Sequence, residues 1–159
     1  MRRWLALWCL AYHAAQAEPP LPTRALSVVR GDGVRVELQV EMAVSAEQRR
    51  VGLMGRVELA ARHGMLFDFG TPTLATMWMK NTLLSLDMLF LDAQGEVVWI
   101  GERTVPGSLA LIAAPRPVRY VLELNGGEAR ALGLMAGDRA SGLGGGQGLE
   151  GGVETRQRQ

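Results

Sequence analysis

Over residues 34–42 the chain alternates apolar and polar side chains without a fault. Val34, Val36, Leu38, Val40 and Met42 interleave with Arg35, Glu37, Gln39 and Glu41. A period of two sends the first set to one face of an extended segment and the second to the other. A helix would scatter both sets around its axis, so this run dictates a strand with one buried and one wet face. A lone strand cannot bury its apolar face, so the rest of the chain must supply a sheet. Residues 25–30 form a short strand joined to it through Gly31-Asp32-Gly33, which predicts a hairpin. Further strand segments are 64–69, 74–80, 86–92, 96–102 and 119–124, with the third and fourth paired across Ala93-Gln94-Gly95. Ser45-Ala46-Glu47-Gln48 fits a capping box, which predicts a helix over about 46–54 stopping at Gly55. A second short helix, around 128–132, opens after Asn125-Gly126-Gly127 and closes at Gly133. Ala136-Gly137-Asp138 is a tight turn. About seven strands and two short helices, with no strand–long-helix alternation, make the chain mainly β. The expected architecture is a compact β sandwich or partly closed barrel.

The two ends differ from this body. Residues 1–17 read as a secretory signal: Arg2 and Arg3, an apolar run over 4–15, then Ala15-Gln16-Ala17 as a cleavage site. That run is shorter than the ~20 residues a bilayer span needs, although an uncut anchor is the alternative. The expected location is therefore exported, periplasmic or secreted, with no stable membrane insertion once the signal is gone. Residues 18–23 form a Pro-rich linker, 24–140 a single domain and 141–159 a Gly-rich tail. Gly144-Gly145-Gly146 lacks the preceding strand and following helix that a phosphate loop requires.

Without the leader's Arg2 and Arg3, 15 of the 17 basic residues remain against 16 acidic ones, a net charge of −1. Cys9 and His13 leave with them, so His63 is the one histidine and no cysteine remains. Disulfides, cysteine nucleophiles and His/Cys zinc sites are excluded within such a chain. A near-neutral domain also lacks the electrostatic footprint for nucleic acid. His63 lies in a polar loop before Gly64 and is assigned no catalytic role.

Lys80 is the first candidate. It is the single lysine among 17 basic residues. A chain that otherwise uses arginine keeps here a compact ammonium in place of a planar fork. Asp87 is the second. Leu86, Met88 and Phe90 share one face of its strand, while Leu89 and Leu91 share the other with Asp87. A strand apolar on both faces is buried, so Asp87 needs a partner, with Lys80, Arg49 or Arg50 as candidates. A structural ion pair is as consistent with this as a ligand site. Asn81 and Thr82 either join the site or cap backbone groups. Trp78 lies on the strand face of Lys80, opposite Met77 and Met79. If that face lines a cleft, Trp78 is an apolar plate beside an ammonium, an amide and a carboxylate, which suits a small polar ligand. Methionine is the third flag: Met54, Met65 and Met79 are weak candidates for Cu(I), with core filling the stronger reading.

The segments 49–56 (Arg-Arg-Val-Gly-Leu-Met-Gly-Arg), 64–67 (Gly-Met-Leu-Phe) and 78–82 (Trp-Met-Lys-Asn-Thr) with Leu86-Asp87 also carry a family resemblance. So do 120–124 (Tyr-Val-Leu-Glu-Leu) with Gly127, and finally Gly137-Asp138. In this order and spacing they resemble the successive motifs of domain-of-unknown-function family 192, over nearly all of 34–140. The resemblance implies a small, mainly β domain, often exported, in bacteria and archaea. It implies no activity, substrate or cofactor. Ser85 stands where the family usually has proline, and without the fixed φ the loop between Lys80 and Asp87 is expected to be looser.

The leading functional expectation is a non-enzymatic exported module that binds a small polar, carbohydrate-like or anionic ligand, with no cofactor. Lys80, Asn81 and Asp87 come first, with Trp78, Thr82, Arg49, Arg56 and Glu123 around them. The alternatives are a carboxylate-based glycan hydrolase using Asp87 or Glu123 with Lys80, a Met-based copper-handling protein, and a structural envelope module without a small ligand. The hydrolase reading requires both acids in one open pocket ~5–10 Å apart.

Overall fold

The computed structural model describes residues 21–143. The signal, most of the linker and the Gly-rich stretch from residue 144 onward lie outside the described residues. The chain runs β1 (Thr23–Val29), β2 (Arg35–Ala43), α1 (Ala46–Val51), β3 (His63–Thr73), β4 (Thr76–Met77) and β5 (Leu86–Leu91). It continues β6 (Val97–Gly101), β7 (Ile112–Ala113), β8 (Val118–Asn125), α2 (Glu128–Ala131) and β9 (Arg139–Ser141). Seven strands form one sheet in the order β6-β5-β8-β3-β2-β1-β9, and β4 pairs with β7 in a separate ribbon. The β2–β3 pair is parallel, whereas β1–β2, β3–β8 and β5–β8 are antiparallel. A parallel pair needs a crossover, and α1 with the loop after it supplies one.

The two ends of that strand order meet. Glu96, just before β6, bridges Arg139 of β9. Val97 N–H donates to Asp138 O at 2.8 Å and Ala140 N–H to Gly95 O at 2.8 Å. The sheet thus curls into a partly closed barrel, which shields strand edges that would otherwise seek partners.

Closure gives the sheet an inside and an outside, and both are packed. Leu26, Val28, Leu38, Val40, Leu66, Leu89, Leu122 and Leu124 fill the inside. On the outside, Met65, Phe67, Met88, Phe90 and Val121 pack under Leu53, Met77, Met79 and Ala114. β5 is buried along its whole length, as a strand apolar on both faces must be.

Several boundaries differ from the sequence reading. β2 starts one residue late because Val34 closes the preceding turn, its carbonyl accepting from Arg30 N–H at 2.9 Å. The capping box of α1 is present, but the helix ends at Gly52, which turns to φ +49 while its N–H bonds Gln48 O. Residues 74–80 are not one strand. Only Thr76 and Met77 pair, with β7, and Met79 N–H instead reaches Ser108 O at 3.0 Å. The alternation nevertheless holds: Met77 and Met79 are buried, whereas Trp78 and Lys80 are exposed. At the far end, β9 and the buried Leu143 carry the domain past residue 140.

Candidate functional site

The expected Lys80–Asp87 pair does not form. Asp87 is 0% exposed and points to the inner face. Its Oδ1 accepts from Arg103 N–H at 2.8 Å and Gly127 N–H at 2.9 Å; its Oδ2 accepts from Gly127 and Ala129 N–H, each at 2.9 Å. Three backbone donors therefore satisfy the carboxylate, and neither Lys80, Arg49 nor Arg50 reaches it. Gly127 makes this arrangement possible. Its φ is +90°, and a Cβ there would stand 2.7 Å from the Arg103 guanidinium. Asp87 thus fastens β5 to the turn before α2 and to the loop after β6.

Glu123 points the other way. In the ladders it faces Met65 on one side and Met88 on the other, so it shares their outer face. Asp87 is paired with Leu124 and shares the opposite, inner face. Two carboxylates on opposite sides of one sheet cannot flank a common glycosidic bond, so Asp87 and Glu123 do not form the acid pair of such a hydrolase. Glu123 is only 4% exposed, and no hydrogen bond or ion pair reaches its carboxyl among the described residues. Burial pushes its pKa up to about 8, because the charged form loses its hydration without gaining a partner. The carboxyl lines a hollow of about 30 Å³ between α1 with its following turn and the 77–82 segment. Met54, Phe67, Met77, Trp78 and Thr82 share the lining.

The remaining candidates divide between that hollow and a larger cleft beside it. Lys80, Asn81 and Thr82 line an open cleft of about 580 Å³ with Leu83, Pro106, Gly107 and Leu109. Lys80 Nζ sits 5.1 Å from the centroid of the Trp78 ring, which is 42% exposed. No acid pairs with this ammonium among the described residues. Asn81 is held at φ +55, a left-handed conformation that asparagine tolerates better than most residues, and its carbonyl accepts from Gly55 N–H at 2.9 Å. Thr82 is buried between the two cavities and donates its hydroxyl to Lys80 O at 3.3 Å. Ser85, in the position usually held by proline, receives Gly126 N–H on its carbonyl at 2.8 Å.

The arginines are turned elsewhere. Arg49 Nη1 donates to Asp68 O at 2.8 Å and to Val44 O, and its guanidinium lies 5.4 Å from the centroid of Phe69. It walls the Glu123 hollow, but its donors serve backbone. Arg56 forms a two-pronged pair with Glu41 at 2.7 and 2.6 Å. It lines a third depression, of about 350 Å³, with His63 and Glu58, to which no residue of Trp78–Thr82 contributes. Met65 and Met79 are sealed in the outer core, whereas Met54 reaches the hollow.

Sequence reasoning missed Leu83, Pro106 and Leu109, the apolar wall of the larger cleft. Their signal is a Pro-Gly turn flanked by apolar residues that no alternating strand absorbs.

These features define a class: a small, mainly β domain curled into a partial barrel, with an open lysine-bearing cleft and an unpaired buried carboxyl on its outer face. The chain belongs to the DUF192 family, described as an uncharacterized ACR, whose model matches residues 27–142. Two solved structures are similar. One is a proposed transcription regulator from Sinorhizobium meliloti 1021, 45% identical, with a TM-score of 0.77, covering 79% of this chain and 97% of that one. The other is a protein of unknown function from Novosphingobium aromaticivorans DSM 12444, 35% identical, with a TM-score of 0.73, covering 76% of this chain and 86% of that one. None of the curated proteins matches the chain.

Proposed function

We propose that the domain is a non-enzymatic, exported module that binds a small anionic or polar ligand with an apolar portion in the Lys80 cleft. One observation carries this reading: the chain's single lysine stands unpaired by any acid among the described residues, at the mouth of an open cleft of about 580 Å³. Several of the other cations are taken by acids: Arg56 by Glu41, Arg119 by Asp68, Arg50 by Glu47. An ammonium left over in such a chain is a point charge available to an anion. Leu83, Pro106 and Leu109 offer the apolar wall and Asn81 the orienting amide, while Trp78 lies beside the ammonium and lines the neighbouring hollow. The name of the Sinorhizobium relative does not extend the reading to nucleic acid, because 17 basic against 16 acidic residues give no phosphate-tracking surface.

Thermal unfolding in the presence of hexanoate, inorganic phosphate and maltose tests the proposal. Hexanoate combines an anion with an apolar tail, phosphate presents the anion alone, and maltose presents hydroxyls without charge. A ligand at about a hundred times its Kd adds roughly 2.7 kcal/mol of stability. Wild type is expected to be stabilised by at least one probe and Lys80→Ala by none of them. Equal stabilisation of both, or of neither, overturns the reading.

A further inference from the structure

The Glu123 hollow adjoins the Lys80 cleft across Thr82, which lines both, and its carboxyl and thioethers are unused by the reading above. It presents an unpartnered, almost wholly buried carboxyl in a setting rich in thioethers. Met65 and Met88 flank Glu123 in the sheet, Met77 and Met79 pack in the same outer core, and Met54 and Met77 line the hollow with it. The geometry points to a site for one soft monovalent cation, of the Cu(I) or Ag(I) class, held by the Glu123 carboxylate and the thioethers of Met54 and Met77.

Three physical arguments select this occupant. A cation bound here takes the place of the carboxyl's proton, which leaves for solvent; a single positive charge neutralises the buried carboxylate so formed, whereas a divalent ion would leave net charge among apolar side chains. Thioethers are soft donors, poor for Mg²⁺ or Ca²⁺ and suited to Cu(I). Among the described residues no three His, Cys, Asp or Glu side chains cluster as an alternative cage. Finally, a hollow of about 30 Å³ has room for a bare ion or a water, but not for a hydrated cation or a sugar ring. The Trp78 ring on its lining adds a π face, which attracts cations. Of the arginines on the wall, Arg49 faces the Val44 and Asp68 carbonyls and Arg50 binds Glu47.

The test is a titration of the full chain with Ag(I) in chloride-free buffer, read by calorimetry and by thermal unfolding, with K⁺ as the hard-ion control; every protein compared, the wild-type reference included, carries Cys9→Ser, because the chain's single thiol would bind Ag(I) first. Wild type is expected to bind one equivalent and to unfold at a higher temperature, with Trp78 fluorescence quenched. Glu123→Gln, Met54→Leu and Met77→Leu are each expected to weaken binding by about tenfold or more. Met135→Leu, at an exposed methionine not among the hollow's lining residues, should bind as wild type does. Met54 is only half-buried, so its variant keeps the test open should the buried substitutions fail to fold. Lys80→Ala should also bind Ag(I) normally, which separates this site from the cleft. No stabilisation by Ag(I), an equal effect of K⁺, or binding that survives loss of Glu123 and Met54 overturns the inference.

Discussion

Replacing Glu123 by glutamine removes a pH dependence of the domain's stability that can be worked out in advance. In the fold, Glu123 holds its proton up to about pH 8; in the unfolded chain a glutamate releases it near 4.5. Between those two values the native state binds more protons than the unfolded state, so raising the pH favours unfolding. The sign is that of any group whose folded pKa is raised. The stability is fully present below the unfolded pKa and is lost as pH climbs to the folded one. Each pH unit in that window costs about 1.4 kcal/mol, hence roughly 3 kcal/mol between pH 4.5 and 7. Glutamine has nearly the same shape and no proton to lose. Urea unfolding of wild type and Glu123→Gln at half-unit steps from pH 4 to 9 therefore gives two curves whose difference is informative. The variant should gain on wild type steadily from about pH 4.5 to 8, then hold its lead. Other titrating groups are common to both proteins and largely cancel. A difference that stays flat across this range would refute the reasoning, because it would mean that Glu123 is ionised in the fold and has a partner after all.

Three further outcomes follow from the contacts. Asp87→Ala strands the N–H groups of Arg103, Gly127 and the buried Ala129, and should cost about 3 kcal/mol in urea unfolding; a loss under about 1 kcal/mol would show that water replaces the carboxylate. Ser45→Ala removes half of a reciprocal capping box at α1 and should cost about 1 kcal/mol, with no measurable loss counting against the cap. Lys80→Ala touches an exposed side chain without an ion pair and should change stability by less than about 0.5 kcal/mol; a larger drop would make Lys80 structural and undercut its role at the cleft.

Much of the architecture is local and therefore legible in the residues. The alternation over 34–42 is β2 because period two can bury only one face of a strand. Ser45 and Gln48 mark the start of α1 because orphan amides at a helix start need a side-chain acceptor within reach. The burial of Asp87 also follows from its neighbours, since a strand apolar on both sides has no wet face. The partners of Asp87 do not follow. Its donors lie 16, 40 and 42 residues away and belong to the backbone, which has no signature in the residue types. A carboxylate in such a strand suggests a cation, yet three amides brought in by a turn satisfy it without one.

Which carboxylate meets which cavity was likewise decided by pairing across the sheet. Asp87 and Glu123 each sit in a clear strand, but only the antiparallel register that sets Met88 opposite Glu123 sends the two acids to opposite faces. A slip of one residue would exchange those faces. The Lys80 cleft is similar: Lys80, Asn81 and Thr82 are neighbours in the chain, but the wall facing them comes from the turn at 106–109, folded back so that Gly107 N–H reaches Thr82 O. Residue order thus determined the strands, the cap and the burial. Long-range pairing alone determined which polar groups were satisfied and which were left open, because a hydrogen bond needs position in space and not proximity in sequence.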